Sequence, residues 1–515
     1  MKKIITAISL IVCMASCNDK LDITPKGETT LDNLTDLECL LNNDFSIGKP
    51  MNDLGIICNE DYGASLNVPL TLTQTSTNNY AWLAYDAKVD RANLTSEDTR
   101  YSSAYKYINY MNTIIDKMPN ADGTEAKKTE ILAEAHIMRS YLHWLLVNIY
   151  AKQYDESTAA TDGGIAYVTD LGITDTKEKQ TVAEVYKQIL ADCSDEYINA
   201  LPNDTSDVVR GDCAWGNAVR AKVLMQMKRY SEALPYAVKA LELNGTIEDR
   251  STVLTNNDWI LQKQATDNYV FMGSTMAPFS EELSLESATL FEPGDYVKDY
   301  AYINGDKSDS GGGGDDGGDE SEDSKAAYSK IKKAAADGDG TDDGDEDTGD
   351  EGGSTGSETK KGWNTVYGLM LSGVSGSYMY FGMQANVNEY GITSDRMYYT
   401  AAECYIRTGK ISEGMDLINK VRKYRIDADH YAALTATTEQ EAMQQLQKAK
   451  WIECISTYEN FFDCKRWNTE AAYKRTITRT IPDVGTYTLA PDSPLWIFPF
   501  PLNATRRNKT LTQNY

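Results

Sequence analysis

Between residues 130 and 150 apolar side chains recur every three or four positions, and this spacing constrains the fold more than any other feature of the sequence. A repeat near 3.6 residues places such side chains on one face of an amphipathic α-helix. The residues that follow it are Ile131, Leu132, Ala135, Met138, Leu142, Leu145, Leu146 and Ile149. Residues 181–198 and 214–243 continue the helical pattern. The sequence therefore predicts a fold dominated by α-helices.

Small residues recur within 214–243 at positions where two helices would touch closely. This spacing is typical of a tetratricopeptide-like hairpin. The positions are Ala221, Leu224, Tyr230, Ala233, Ala237 and Ala240, and a weaker copy occurs at Ala402, Tyr405, Gly409, Gly414, Ile418 and Val421. Copies about 180 residues apart do not form a tandem array. We expect helical hairpins separated by irregular insertions, although a generic helix pair would give a similar pattern.

Two stretches, 256–304 and 361–395, are rich in Gly, Asn, Ser and aromatic residues and have no sustained helical period. They are predicted to form loops with short strands. Between them, residues 305–358 contain 18 acidic and 5 basic side chains. Such a Gly/Asp-rich segment buries too little apolar surface to offset the entropy of ordering. We therefore expect an acidic, disordered insertion there.

The N-terminus has the pattern of an export signal. It begins with MKK, continues with an apolar run from Ile4 to Met14, and reaches two small residues directly before Cys17. The run is shorter than the roughly 20 residues that a membrane-spanning helix needs. This pattern predicts removal of residues 1–16 and lipidation of Cys17, whose acyl chains would anchor residues 17–515 to a membrane. The alternative is an ordinary signal peptide in which Cys17 is incidental.

Charge and motif content narrow the function. The net charge of −27 argues against nucleic acid, because binding a phosphate backbone needs Lys and Arg. Only three histidines are present, and no HExxH or phosphate-cradling loop occurs. We therefore expect no enzyme activity, no cofactor and no metal site, although paired carboxylates for glycoside hydrolysis stay open. The seven cysteines after Cys17 include no CxxC and are expected to be mostly free, buried thiols.

Aromatic residues give the strongest indication of a ligand, with 33 Tyr and 8 Trp against 9 Phe. Tyr and Trp combine a flat apolar face with a polar edge, which suits a sugar ring and suits a peptide equally well. Clusters outside the predicted helical core include residues 78–85, 296–302 and 363–380. The candidate ligand-binding residues are Asn78, Asn79, Tyr80, Trp82, Tyr300 and Trp363. For each of them, a packed or capping side chain is the alternative.

Several motifs in order along the chain resemble those of the SusD/RagB family of outer-membrane lipoproteins. The start, Cys17 to Pro25, resembles the family's opening. Next come Tyr105, Ile108, Asn112 and Ile115, then Glu134, Arg139, Ser140, Tyr141 and Tyr150. The late motifs are Met397-Tyr398-Tyr399 with Ala401-Ala402-Glu403, then Phe461 to Trp467, and finally Phe498 to Pro501 with Asn508 and Leu511 to Tyr515. Arg396 stands where the family usually has Glu, and Thr457, Tyr458 and Asn460 replace its customary Glu, Gly and Arg. These substitutions indicate a divergent branch.

The resemblance implies a single α-rich domain in which four tetratricopeptide-like hairpins support an irregular ligand-binding half. It also implies a place in the outer membrane, facing the cell exterior, and a partner, a TonB-dependent SusC-like transporter. The leading hypothesis is capture of an oligosaccharide for that transporter, and RagB-type peptide capture is the alternative that the resemblance leaves equally open. Secretion and the abundant carboxylates alone suggest a secreted glycoside hydrolase or peptidase. A further alternative is a purely structural tetratricopeptide scaffold whose acidic insertion recruits a basic partner.

Overall fold

The computed structural model describes residues 31–48, 50, 53–63, 66–172, 175–205, 207–251, 267–275, 282–304, 372–380 and 386–515. Within these ranges the chain is mainly helical, which confirms the predicted fold class. None of the helices described combines the length and the apolar composition that crossing a membrane requires. The helices, numbered α1 to α18 in chain order, are Leu34–Glu38, Leu54–Cys58, Val68–Thr71, Asn78–Leu83, Arg91–Leu94, Thr99–Lys117, Glu125–Tyr150, Val182–Asp192, Asp195–Ile198, Cys213–Gln226, Tyr230–Leu243, Leu285–Ala288, Tyr296–Ala301, Ser394–Arg407, Ile411–Arg422, Glu439–Glu453, Glu459–Asn468 and Leu502–Arg507.

Helix α7 lies at the centre of the fold. The sequence predicts a helix with one solvent-facing side, but every residue from 137 to 150 is buried, so that prediction is wrong for this part. The reason is that α6, α8, α9 and α10 all contact α7. Its polar side chains find partners inside the protein; Arg139, for example, lies 2.7 Å from Asp192 of α8.

Three helix pairs form hairpins, and two of them, α10–α11 and α14–α15, lie where the sequence predicts hairpins. Short connections, residues 118–124, 227–229 and 408–410, join α6 to α7, α10 to α11 and α14 to α15, and the two helices of each pair pack together. A β-carbon added at Gly414 would lie 2.8 Å from the carbonyl oxygen of Ala402, so the crossing of α14 and α15 admits only glycine there. The two sequence copies also meet, because α11 packs on α14.

Short antiparallel strands occur in the two aromatic-rich stretches, as predicted, and one further pair lies near the C-terminus. The sheets pair β1 with β7, β2 with β6, β3 and β4 with β5, and β8 with β9. In chain order the strands β1 to β9 are Asn268–Val270, Ser274–Thr275, Glu282–Leu283, Tyr302–Asn304, Tyr378–Tyr380, Asn386–Val387, Ile392–Thr393, Ile477–Ile481 and Gly485–Leu489. Helices α12 and α13 also fall here, where the sequence predicted only loops and strands. The predicted insertion, residues 305–358, lies outside the described residues.

The C-terminal segment is bound to the helical core. Asn514 Nδ2 donates hydrogen bonds to the carbonyl oxygens of Tyr150 and Gly164 at 2.7 and 2.9 Å, and Asn514 Oδ1 accepts one from Lys179 Nζ at 3.0 Å. Gln513 exchanges hydrogen bonds with the backbone of Phe500. One cluster of buried apolar side chains includes residues from Leu37 to Leu511. Both ends of the described chain therefore contribute to the same core.

The cysteines that remain after Cys17 are all described. They are free thiols, and five of them are buried, as the sequence predicted. Cys39 is exposed and Cys213 is half-buried.

Candidate ligand-binding cleft

A cleft of about 280 Å³ lies where separate stretches of the chain meet. Its lining comes from the chain around Gly48, from Asp53, from α4, from residues 94–100 and from Phe498–Pro499. No single stretch forms the cleft. Its shape therefore depends on how α4, the start of α6 and the C-terminal segment pack.

Helix α4 places two of the predicted side chains at the cleft. Thr77 caps the helix, because its hydroxyl oxygen accepts a hydrogen bond from the backbone N–H of Tyr80 at 3.1 Å. Asn78 and Trp82 are four residues apart and so lie on one helix face. Both line the cleft. Asn78 Nδ2 donates to the hydroxyl of Thr95 at 3.0 Å, which joins α4 to the neighbouring wall.

Two buried polar atoms of these side chains, Asn78 Oδ1 and Trp82 Nε1, have no hydrogen-bond partner in the described part of the chain. An unpaired buried donor or acceptor costs about 1–3 kcal/mol, and native proteins keep few of them. The ring of Trp82 packs on that of Phe498, with centroids 5.8 Å apart. This wall therefore combines two packed aromatic rings with one acceptor and one donor that have no partner. Both polar atoms are shielded from solvent, so a hydroxyl group, which both donates and accepts, pairs with either atom only after a side chain of the wall moves aside.

The facing wall carries a buried ion pair. Arg100 donates to both carboxylate oxygens of Asp53, at 2.8 and 2.5 Å, and its guanidinium lies 4.8 Å from the ring centroid of Phe498. Burial raises the pKa of Asp53 to about 6, although Arg100 favours its charged form. Burial alone would lower the pKa of Arg100, but Asp53 and Asp98 raise it well above its ordinary value. Both members of the pair are therefore mainly charged at neutral pH.

Arg479 fixes the position of α4 and was not identified from the sequence. Its side chain is fully buried and donates to the carbonyl oxygens of Trp82 and Leu83, at 3.0 and 2.8 Å, and to that of Ile56. It also donates to Asn59 Oδ1 at 2.9 Å. In β8 the odd positions face inward, so an arginine at such a position was a local signal of a buried role.

The other predicted ligand-binding residues lie elsewhere. Asn79 and Tyr80 belong to α4 but do not line the cleft. Tyr300 belongs to α13, and its side chain is not among those that the structure describes. Trp363 and Cys17, the predicted lipidation site, are outside the described residues. Within the ranges that are described, no group of three His, Cys, Asp or Glu side chains is placed to hold a metal ion.

Comparison with known families decides the assignment. A family model described as "Starch-binding associating with outer membrane" matches residues 29–212, and the model of the SusD family matches residues 293–515. The chain belongs to the SusD/RagB family. No curated protein matches it.

Solved structures of SusD-like proteins share the fold. A SusD superfamily protein from Bacteroides vulgatus has a TM-score of 0.64 at 12% identity, over 94% of this chain and 98% of that one. A SusD-like carbohydrate binding protein from the same organism has a TM-score of 0.58 at 14% identity, over 94% and 98%. Surface glycan-binding protein A from Bacteroides uniformis has a TM-score of 0.61 at 14% identity, over 93% and 98%.

Motif residues that resemble those of the SusD/RagB family hold the scaffold of this chain. Glu134 of α7 accepts hydrogen bonds from Arg210 and from the backbone N–H of Gly211. Glu403 of α14 accepts from Arg466 at 2.5 and 2.8 Å and from Trp467 Nε1 at 2.9 Å. These contacts join helices to one another and to loops. Neither glutamate lines the cleft.

Proposed function

We propose that this SusD/RagB-family protein binds an oligosaccharide in the cleft and holds it for uptake. The observation that carries the proposal is the wall in which the Trp82–Phe498 aromatic surface adjoins two unpaired polar atoms, Asn78 Oδ1 and Trp82 Nε1. A sugar ring offers C–H groups to an aromatic face and hydroxyls to such atoms. The names of two structural neighbours, a carbohydrate binding and a glycan-binding protein, support this proposal.

Substitution of Trp82 tests the site. Trp82→Ala removes both the aromatic surface and the Nε1 donor, and we expect it to weaken saccharide binding about 10- to 100-fold. Trp82→Phe keeps a ring but loses the donor, so a smaller loss is expected. Calorimetry with a saccharide identified on a glycan array gives the affinities. Tyr424→Ala is the matched control, because Tyr424 is an exposed aromatic outside the cleft lining.

Other outcomes would replace the proposal. Binding of peptides without binding of any saccharide would favour RagB-type peptide capture. Sustained release of products from a polysaccharide, detected by chromatography, would favour a glycoside hydrolase. Affinity unchanged by Trp82→Ala would place the ligand outside this cleft.

We further propose that residues 1–16 are removed, that Cys17 anchors residues 17–515 to the outer membrane, and that the ligand passes to a TonB-dependent SusC-like transporter. The signal pattern and the family support this arrangement. Cys17→Ser should abolish labelling by palmitate and move the protein from the membrane fraction to the soluble fraction. Undiminished labelling of that variant would contradict anchoring through Cys17.

A further inference from the structure

The one positively charged side chain that the described residues place in the cleft lining, Arg100, is already neutralised. Besides its two contacts with Asp53, Arg100 has Nη2 3.5 Å from Asp98 Oδ2, and its side chain is only 7% exposed. A guanidinium that pairs a carboxylate with two hydrogen bonds has little left to offer an anionic ligand. Arg100 therefore stabilises the wall of the cleft and does not serve as a binding group for an anionic ligand.

The partial positive charge at the N-terminus of α6 is also neutralised by a carboxylate of the protein. A helix N-terminus carries a partial positive charge that attracts anions. Asp98 is the N-cap residue of α6, and its Oδ1 accepts a hydrogen bond from the backbone N–H of Arg100 at 2.9 Å. Asp98 Oδ2 accepts another from the hydroxyl of Tyr150 at 2.6 Å. A carboxylate of the protein thus occupies the place that an anionic ligand would take.

Glu97 adds a negative charge with no such compensation. It lines the cleft and is exposed, and the described residues provide no ion-pair partner for it. With Asp53, Glu97 and Asp98 against Arg100, the lining carries three carboxylates and one guanidinium. Its net charge is negative at neutral pH.

We infer that the cleft selects uncharged, hydroxyl-bearing ligands and rejects saccharides that carry carboxylates or sulfates. The inference rests on the proposed function, since it concerns the ligand class of the same site. Trp82 and Asn78, the side chains proposed to contact the ligand, carry no charge that could attract an anion. Glu97 repels any negative group placed near it, because two like charges within about 6 Å interact unfavourably at the protein surface.

The test compares matched ligands in which the neutral hydroxymethyl group at C6 is replaced by a carboxylate. Maltohexaose, cellohexaose and mannohexaose are each measured against the same hexasaccharide oxidised to the carboxylate at C6, by calorimetry at pH 7.5 and low salt. We expect the neutral form to bind about tenfold more tightly or better. The difference should shrink at high salt, because exposed charges are screened.

Two variants test whether Glu97 causes the difference in affinity. Glu97→Gln should reduce the discrimination severalfold, because it should improve the affinity for the oxidised ligand more than the affinity for the neutral one. Glu413→Gln, an exposed change on α15, alters the net charge by the same amount and should leave the discrimination intact. Equal binding of neutral and oxidised ligands would overturn the inference and leave the proposed function standing. Equal effects of Glu97→Gln and Glu413→Gln would do the same. If none of these saccharides binds, the proposed function fails, and the inference fails with it.

Discussion

Replacing Glu459 by Gln should lower the free energy of unfolding by about 3–5 kcal/mol, because it removes the central anion of a buried cluster of cations. Glu459 Oε2 lies 2.5 Å from Lys222 Nζ and 3.4 Å from Lys450 Nζ, and Oε1 lies 3.6 Å from Arg396 Nη1. All four side chains are at most 5% exposed. Burial opposes the charged form of Glu459, but the three cations hold its pKa below the ordinary value. The neutral amide would leave Lys222 and Arg396 as uncompensated buried charges.

Urea unfolding of the wild type and the variant at pH 7.5 measures this loss. Glu413→Gln is the surface control and should change stability by less than about 0.5 kcal/mol. The double variant Lys222→Met with Glu459→Gln removes both partners of the shortest of these ion pairs and should recover part of the loss, since Lys222 is then no longer buried opposite an amide. A double variant as unstable as the sum of the two single changes would contradict this account.

The helical scaffold could be predicted largely from apolar spacing, but its boundaries could not. Helix α7 begins at Glu125, five residues before the apolar pattern starts, because Thr124 caps a polar first turn. The predicted helix 181–198 is interrupted, since α8 ends at Asp192 and α9 begins at Asp195. Apolar spacing continues across that break and hides it. Apolar residues report which face packs, and they do not report where backbone hydrogen bonding stops.

Buried charges could not be predicted, because they depend on contacts between distant segments. Lys222, Arg396, Lys450 and Glu459 come from four different helices, α10, α14, α16 and α17. The substitution of Arg396 for the family's usual Glu was visible in the sequence. That its guanidinium lies near Glu459 and donates to the carbonyl oxygen of Asn388 at 3.0 Å was not.

Only one wall of the cleft could be predicted from the sequence. Asn78 and Trp82 share a helix face, so local spacing was enough to group them. Asp53, Arg100 and Phe498 reach the same cleft from positions far apart in the chain, and no short-range pattern connects them. The aromatic count drew attention to side chains with a binding face. It could not separate those at the cleft from those packed elsewhere, such as Tyr302, which is buried in a separate cluster with Phe291.

Arg479→Met should lower both stability and ligand affinity, because Arg479 holds the helix that carries Asn78 and Trp82. The change removes a donor from four oxygens, those of the Ile56, Trp82 and Leu83 carbonyls and Asn59 Oδ1, although the Ile56 oxygen keeps a hydrogen bond from the backbone N–H of Asn59. We expect a loss of about 3 kcal/mol or more in the free energy of unfolding. Release of the C-terminal end of α4 should also weaken saccharide binding about tenfold, since a small displacement of a binding group is costly.

Urea unfolding and calorimetry on the same variants separate these two effects. Glu459→Gln is the matched control, because it should be similarly destabilised although Glu459 does not line the cleft. At a temperature where both variants remain folded, Glu459→Gln should bind saccharide as the wild type does and Arg479→Met should not. Arg479→Lys should restore only part of the affinity, because a single ammonium cannot reach carbonyls on both α2 and α4 as the planar guanidinium does. If both destabilised variants lost affinity equally, binding would follow global stability, and Arg479 would have no specific role in positioning α4.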